Sequence, residues 1–307
     1  MRKLLTLLML LALGWGGSVS SVGIGSEQPK VGRALGIEGW MPTWSPDGTK
    51  IVYVSETDGD SEIFVLDLKG GEKQRLTDNT AIDRGPKWSP DGKWIAFYST
   101  RNGNFELYRM APDGSHPERL TYDPAIDWFP AWVPDGKIVF ESYRSGWPDL
   151  YLLGLGGATK RLTEDFYREA QPAVSPDGTR IAFSSLREGN WDIYLINLDG
   201  SGLTRLTTSL GIDWYPAWSP DGKKLAFSSF RGDAADIYIL DLEKGELTQL
   251  TRDRFRDLQP AWSPDGRRIA YASLREGGWE IIIAEVPGST EEEGAMDGRD
   301  HRLDQGP

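Results

Sequence analysis

The tetrapeptide Ser-Pro-Asp-Gly, with Val replacing Ser once, recurs six times along this 307-residue chain, beginning at Ser45, Ser89, Val133, Ser175, Ser219 and Ser263. The intervals are 44, 44, 42, 44 and 44 residues. A fixed period of about 20–50 residues marks like units stacked against one another, so this register constrains the fold before anything else does. Trp precedes five copies (Trp44, Trp88, Trp132, Trp218 and Trp262), and Val174 precedes the other.

Each unit reads as four short strands. A Pro-x-Trp strand leads into the Pro-Asp-Gly turn, where Pro suits the first central position and Gly the left-handed residue that closes a bulged hairpin. A second strand repeats apolar, small, aromatic, as in Ile95-Ala96-Phe97 and Ile181-Ala182-Phe183. A third repeats acid, apolar, aromatic, as in Asp192-Ile193-Tyr194 and Asp236-Ile237-Tyr238. The fourth ends in Leu-Thr, at Leu76-Thr77, Leu120-Thr121, Leu162-Thr163, Leu206-Thr207 and Leu250-Thr251. Four strands per ~40 residues, separated by turn signals, describe one propeller blade. The expectation is an all-β, six-bladed β-propeller of four-stranded antiparallel blades.

Six turns but five Leu-Thr strands leave one blade short of an outer strand. Arg33-Ala34-Leu35 resembles the missing Arg-Leu-Thr, so an N-terminal strand over Lys30–Leu35 is expected to complete the sixth blade and close the ring. Closure removes open sheet edges. Ahead of it, Met1-Arg2-Lys3, the apolar run from Leu4 to Trp15 and Ser18-Val19-Ser20 have the form of a cleavable export signal. That run falls short of the ~20 apolar residues a spanning helix needs. The expected organisation is a signal peptide over 1–20, a propeller over 21–288 and an acidic flexible tail over 289–307. The exported protein would be periplasmic or secreted, monomeric and without a membrane span.

In such a meander the Pro-Asp-Gly turns lie on one face, called the bottom, where their residues serve the backbone. The opposite face carries two columns of charge. Arg101, Arg144, Arg187, Arg231 and Arg275 fall in second-to-third-strand loops, each five residues before an acid (Glu106, Asp149, Asp192, Asp236 and Glu280), which suggests structural pairing. Six residues beyond each Leu-Thr threonine stand Asp83, Asp127, Glu169, Asp213 and Asp257, with Glu38 as the approximate equivalent in the shorter first connection. These acids are expected to ring the mouth of the central channel as a negative rim. The next column alternates: Trp40, Trp128 and Trp214 against Arg84, Ala170 and Leu258, with Phe129 and Tyr215 after two of the tryptophans. Core aromatics would recur in every blade, so a half-set on loops reads as an interface. The expected partner-binding surface is Glu38, Trp40, Asp83, Arg84, Asp127, Trp128, Phe129, Glu169, Asp213, Trp214, Tyr215 and Asp257.

The unit Pro-x-Trp-Ser-Pro-Asp-Gly-Lys, Ile-Ala-Phe-x-Ser, Asp-Ile-Tyr, Arg-Leu-Thr resembles the repeat of TolB-type six-bladed propellers over about residues 30–286. The resemblance implies a periplasmic protein whose propeller binds an envelope partner, a peptidoglycan-associated lipoprotein within the Tol–Pal system. About ten residues separate Ser20 from the closing strand, so the α/β domain that precedes the propeller in that family is not expected here. Related repeats also occur in propellers joined to prolyl-oligopeptidase-like and tricorn-like proteases, so the repeat speaks for fold more than for function.

Composition narrows the chemistry. With no Cys there is no disulfide, thiol nucleophile or zinc knuckle, and two His (His116 and His301) do not make a multi-histidine metal site or a histidine-bound polyuronate-lyase metal. A net charge of −12 opposes nucleic acid as a partner. No Gly-x-Ser-x-Gly elbow is present, and neither His falls on the top face. No linear loop has calcium-site spacing, although the acids supply hard oxygen ligands. No cofactor, catalytic residue or metal ligand is therefore expected. The expected function is a non-catalytic protein-binding scaffold; the alternative is a carbohydrate-binding or carboxylate-dependent glycoside-processing propeller.

Overall fold

In the computed structural model, which describes residues 32–57 and 59–288, every repeat becomes one four-stranded antiparallel sheet, and six such sheets make the ring. Blade one runs through Trp40–Trp44, Lys50–Ser55, Glu62–Asp67 and Lys73–Arg75; blade three runs through Asp127–Trp132, Ile138–Ser142, Asp149–Leu153 and Thr159–Arg161. Blade six takes three strands from the C-terminal end (Arg256–Trp262, Arg268–Arg275 and Gly278–Glu285) and its outer strand, Arg33–Glu38, from the N-terminal end. The chain is thus an all-β six-bladed propeller closed by an N-terminal strand, as the repeat register predicts.

The closing strand sits three residues later than Lys30–Leu35. Arg33 pairs with Ile283 and Ala34 with Ile282, and the register then shifts before Glu38 meets Glu280. Ile37 settles the placement, being buried among Tyr53, Leu66 and Ile281 across the junction of blades six and one. The segments assigned to the signal peptide and the acidic tail lie outside the described residues. Among those described, no helix is long and apolar enough to cross a membrane.

The repeated residues have repeated jobs. Phe97, Phe140, Phe183 and Phe227 of the second strands are fully buried between blades, each contributing about 1.5–3 kcal/mol by leaving water. Four of the tryptophans tie adjacent blades by donating an indole N–H to a backbone carbonyl of the preceding one, as Trp132 does to Lys87 at 3.0 Å and Trp218 to Ala173 at 3.0 Å. At the bottom, Ser89 Oγ donates to Asp91 at 2.7 Å while accepting the Trp94 amide at 2.9 Å. In blades one to five the Leu-Thr threonine seals the top of the outer strand: Thr121 Oγ1 accepts the Leu107 amide at 2.9 Å and donates to Glu106 at 2.5 Å.

Candidate functional site

The inner strands share an irregularity that shapes the channel. Each carries a register shift at the same level, for example between Trp128 and Ala131 or Trp214 and Ala217. There, the residue before the inner-strand proline adopts a left-handed conformation: Met41, Gly85, Phe129, Gln171, Tyr215 and Gln259 have φ between 49° and 64°. Such a conformation costs a non-glycine residue about 1–3 kcal/mol and persists only where the surroundings enforce it. Here the bulge swings one side chain per blade into the channel. Gly85 is the exception because Tyr98 takes the space; a Cβ on Gly85 would lie 2.3 Å from the Tyr98 ring.

The plug is cross-braced between blades. Gln171 Oε1 accepts from Ser184 Oγ at 3.0 Å and from the Tyr215 amide of the next blade at 3.2 Å. Gln259 Oε1 accepts the Met41 amide of blade one at 2.9 Å. Phe129 and Tyr215 approach across the mouth with ring centroids 6.4 Å apart. Together with Pro42, Pro130, Pro172, Pro216, Pro260 and Lys87, these residues line a cavity of about 50 Å³.

The tryptophan column sits immediately above. Trp128 packs on Phe105, Phe129 and Tyr143 with centroids 6.0, 5.5 and 5.7 Å away. Trp214 packs likewise on Trp191, Tyr215 and Phe230 at 5.9, 6.3 and 6.0 Å. Through the Phe129–Tyr215 contact the two groups form one aromatic band across the mouth. Trp40 instead lies under the Arg84 guanidinium at 4.8 Å, and Arg84 reaches Glu56 at 2.8 Å. All six of these expected interface residues (Trp40, Arg84, Trp128, Phe129, Trp214 and Tyr215) are half-buried at the channel mouth.

The acid column is placed differently from the expected exposed rim. Asp83, Asp127, Glu169, Asp213 and Asp257 are all 0% exposed. Four of them hold the loop arginine of their own blade: Arg101 to Asp83 at 2.9 Å, Arg144 to Asp127 at 2.7 Å, Arg231 to Asp213 at 3.2 Å, and Arg187 to Glu169. Strand register explains the choice of partner. Asp83 pairs with Ser99, and Arg101 folds back over Ser99 Oγ at 2.9 Å toward the inner strand. The third-strand acids, expected as the partners of these arginines, instead take the outer-strand Arg: Arg119 to Glu106, Arg161 to Asp149 and Arg205 to Asp192, each at 2.7 Å. Only Arg275 leans toward its expected partner, Glu280, at 3.7 Å.

Glu38 leaves the column altogether. It is the exposed last residue of the closing strand, and Gly39 stands at the acid's level, where a Cβ would meet the Tyr53 ring and the Val54 carbonyl at 2.6 Å. Asp257 also departs from the rest. Gln249 replaces the outer-strand Arg of its junction and Arg275 leans toward Glu280, so this acid has no arginine partner and only the Ser273 and Thr251 hydroxyls beside it. Burial pushes its carboxyl up to about 7, with Asp253 and Asp236 adding to the effect. Glu169 is also raised to about 7 by burial. Asp149, Asp165 and Glu169 bring oxygens within 4.8 Å of one another, but the Arg161 and Arg187 guanidinium groups already occupy that junction.

Two groups escaped the sequence reading. The second-strand column Val54, Tyr98, Glu141, Ser184, Ser228, Ala272 contains one carboxyl, Glu141, which is 2% exposed and accepts the Gln171 amide at 3.3 Å. Burial pushes it up to about 8. The exposed apolar side chains of the top loops also went unread: Tyr122, Trp147, Phe166, Tyr167 and Leu210 all belong to blades three to five and their connections. Loop residues follow no period; only their apolar character in a polar connection could have drawn notice.

A family described as TolB beta propeller domain matches residues 22–123, 130–234 and 214–302. A TolB homologue of Protochlamydia amoebophila is 48% identical over 40 residues, 13% of this chain and 8% of that protein. An uncharacterised Agrobacterium fabrum protein is 39% identical over 67 residues, 22% of this chain and 23% of the other. The matches thus take in less than a quarter of these curated relatives. Among solved structures, TolB from Acinetobacter baumannii superposes with a TM-score of 0.67 at 30% identity, over 72% of this chain and 56% of that one. A TolB-type structure from Agrobacterium tumefaciens gives 0.66 at 26%, over 81% and 90%. An oligogalacturonate lyase in complex with manganese gives 0.58 at 19%, over 82% and 90%, a likeness of fold alone.

Proposed function

This chain belongs to the TolB β-propeller domain family, and on that premise we propose that it is a non-catalytic, exported scaffold that binds an envelope protein through its top face. The observation that carries the proposal is the placement of the strongly exposed aromatic side chains: Tyr122, Trp147, Phe166 and Tyr167 are all on the top face, whereas the exposed apolar residues at the bottom end, Leu155, Leu203 and Leu247, are all leucines. Tyr122, Trp147, Phe166, Tyr167 and Leu210 all project from top-face loops of blades three to five, on the face that holds the aromatic band of Trp128, Phe129, Trp214 and Tyr215. Aromatic residues gathered on one surface and rimmed by charge are characteristic protein-interface anchors.

The buried acids have a supporting part. By holding Arg101, Arg144, Arg187 and Arg231, they fix the loops that present the apolar residues. Trp40 and Arg84 extend the surface toward blade one. A preorganised surface loses less freedom on binding, which favours affinity. The relatives include TolB proteins, which favours a TolB-like role, and the peptidoglycan-associated lipoprotein that the family resemblance implies is the first partner to try.

The test is retention from envelope extract of the host organism on residues 21–307, compared with the Phe166→Ala/Leu210→Ala variant. Both side chains are exposed, so the fold is left intact. A protein held by the wild type and released by the variant supports the proposal; identical retention by both opposes it.

A further inference from the structure

The channel breaks the six-fold symmetry at one position in a way that packing does not require. Two residues below the left-handed column the blades carry Thr43, Lys87, Ala131, Ala173, Ala217 and Ala261. Lys87 is the one charged side chain among the residues lining the central cavity. Among the described residues its ammonium has no hydrogen-bond or ion-pair partner. Lys87 is half-buried and lines the channel, where an anion beside its ammonium would supply the missing counter-charge.

The other side-chain polar groups lining the cavity belong to Gln171, Gln259 and Tyr215. The carbonyl oxygens of Gln171 and Gln259 are occupied by backbone amides of the next blade, which leaves their NH₂ ends for the interior. The Gln259 NH₂ donates one hydrogen to the Tyr215 hydroxyl oxygen, which leaves its second N–H and the Tyr215 O–H for the interior. The rest of the lining is proline, Met41, Gly85 and Phe129, and it contains no carboxylate. A volume of about 50 Å³ gives room for on the order of three to five water-sized atoms.

We propose that the central channel binds a small monoanion, the size of formate or acetate, held by the Lys87 ammonium and by the donor ends of Gln171, Gln259 and Tyr215. The left-handed backbone at Gln171, Tyr215 and Gln259 aims these donors, and the cross-blade hydrogen bonds keep them from turning their acceptors inward. Burial lowers the Lys87 amine to about 8, so it carries charge at pH 7. The nearby Glu141 carboxyl is held up to about 8 and is mostly neutral there, so it does not repel an anion.

The probe is sodium formate, titrated into the full chain at pH 7 with sodium gluconate, too large for the cavity, holding ionic strength constant. Thermal unfolding is followed for the wild type and for Lys87→Ala, the residue four other blades carry. Lys87→Met keeps the bulk of the stem and serves if the alanine variant does not fold. The expected result is a wild-type Tm that rises with formate, by about 5–10 °C at a hundredfold excess over Kd, and a variant whose Tm does not respond. Wild-type curves that coincide in formate and gluconate, or a variant that responds as the wild type does, would overturn the proposal. A crystal soaked in sodium bromide locates the site: anomalous density within contact of Lys87 Nζ supports it, and an ordered channel without such density contradicts it.

Discussion

Replacing Glu141 by Gln keeps the side chain's shape beside the Gln171 amide while removing the one carboxyl in the second-strand column. Burial holds this carboxyl at about 8, against an ordinary 4.5. Between those values an unfolded chain releases the proton while the folded chain keeps it. The folded state then binds more protons than the unfolded one, so stability falls as pH rises from about 4.5 to 8 and is level above. Each unit is worth about 1.4 kcal/mol, so the loss accumulates to on the order of 4–5 kcal/mol. Urea denaturation of wild type and Glu141→Gln at pH 5, 6, 7, 8 and 9 reads this out. Glu169 and Asp257, both raised to about 7, titrate in both proteins and cancel in the difference. The variant's advantage should grow from near zero at pH 5 to several kcal/mol at pH 9. A difference that stays flat across that range would refute the assignment of Glu141 as a buried neutral acid.

Other perturbations separate the buried carboxyls by their partners. Asp83→Asn weakens the link to Arg101 and should cost about 1–3 kcal/mol in urea titrations. Asp257→Asn removes a buried carboxylate that has no arginine partner, and should be neutral or stabilising at pH 8. Ile37→Ala empties a buried site at the ring closure and should cost about 2–4 kcal/mol, within a single cooperative transition if closure couples blades six and one.

Fold and site were legible to different depths. A six-fold register needs only one regular position per turn to be visible, and Ser-Pro-Asp-Gly with its preceding tryptophan supplies it. Periodicity then gives a residue's column but not its exposure. Asp83, Asp127, Glu169, Asp213 and Asp257 were readable as one ring, yet their burial depends on where the loop arginines go. Each arginine had a sequence-near acid on the third strand and a sequence-distant one on the inner strand. The register that pairs Asp83 with Ser99 decides for the distant one, and spacing along the chain does not reveal it. Glu38 was misplaced because the first connection is shorter, and Gly39 fills the level instead. Lys87 and Glu141 were missed because each appears in one blade only. They become visible when the six blades are aligned and the departures from each column, rather than its consensus, are read. The top-loop aromatics obey no column at all.

Face selectivity is the centre of the account, and site-specific photo-crosslinking in the host organism tests it most directly. A benzophenone side chain placed at Phe166, 89% exposed on the top loop between blades three and four, would be compared with one at Leu155, 76% exposed on the bottom turn of blade three. The two positions are in the same blade neighbourhood and similarly accessible, so they differ in face. A discrete protein adduct is expected from position 166 and none from position 155. An adduct from position 155 alone, or the same adduct from both, would contradict recognition through the top face.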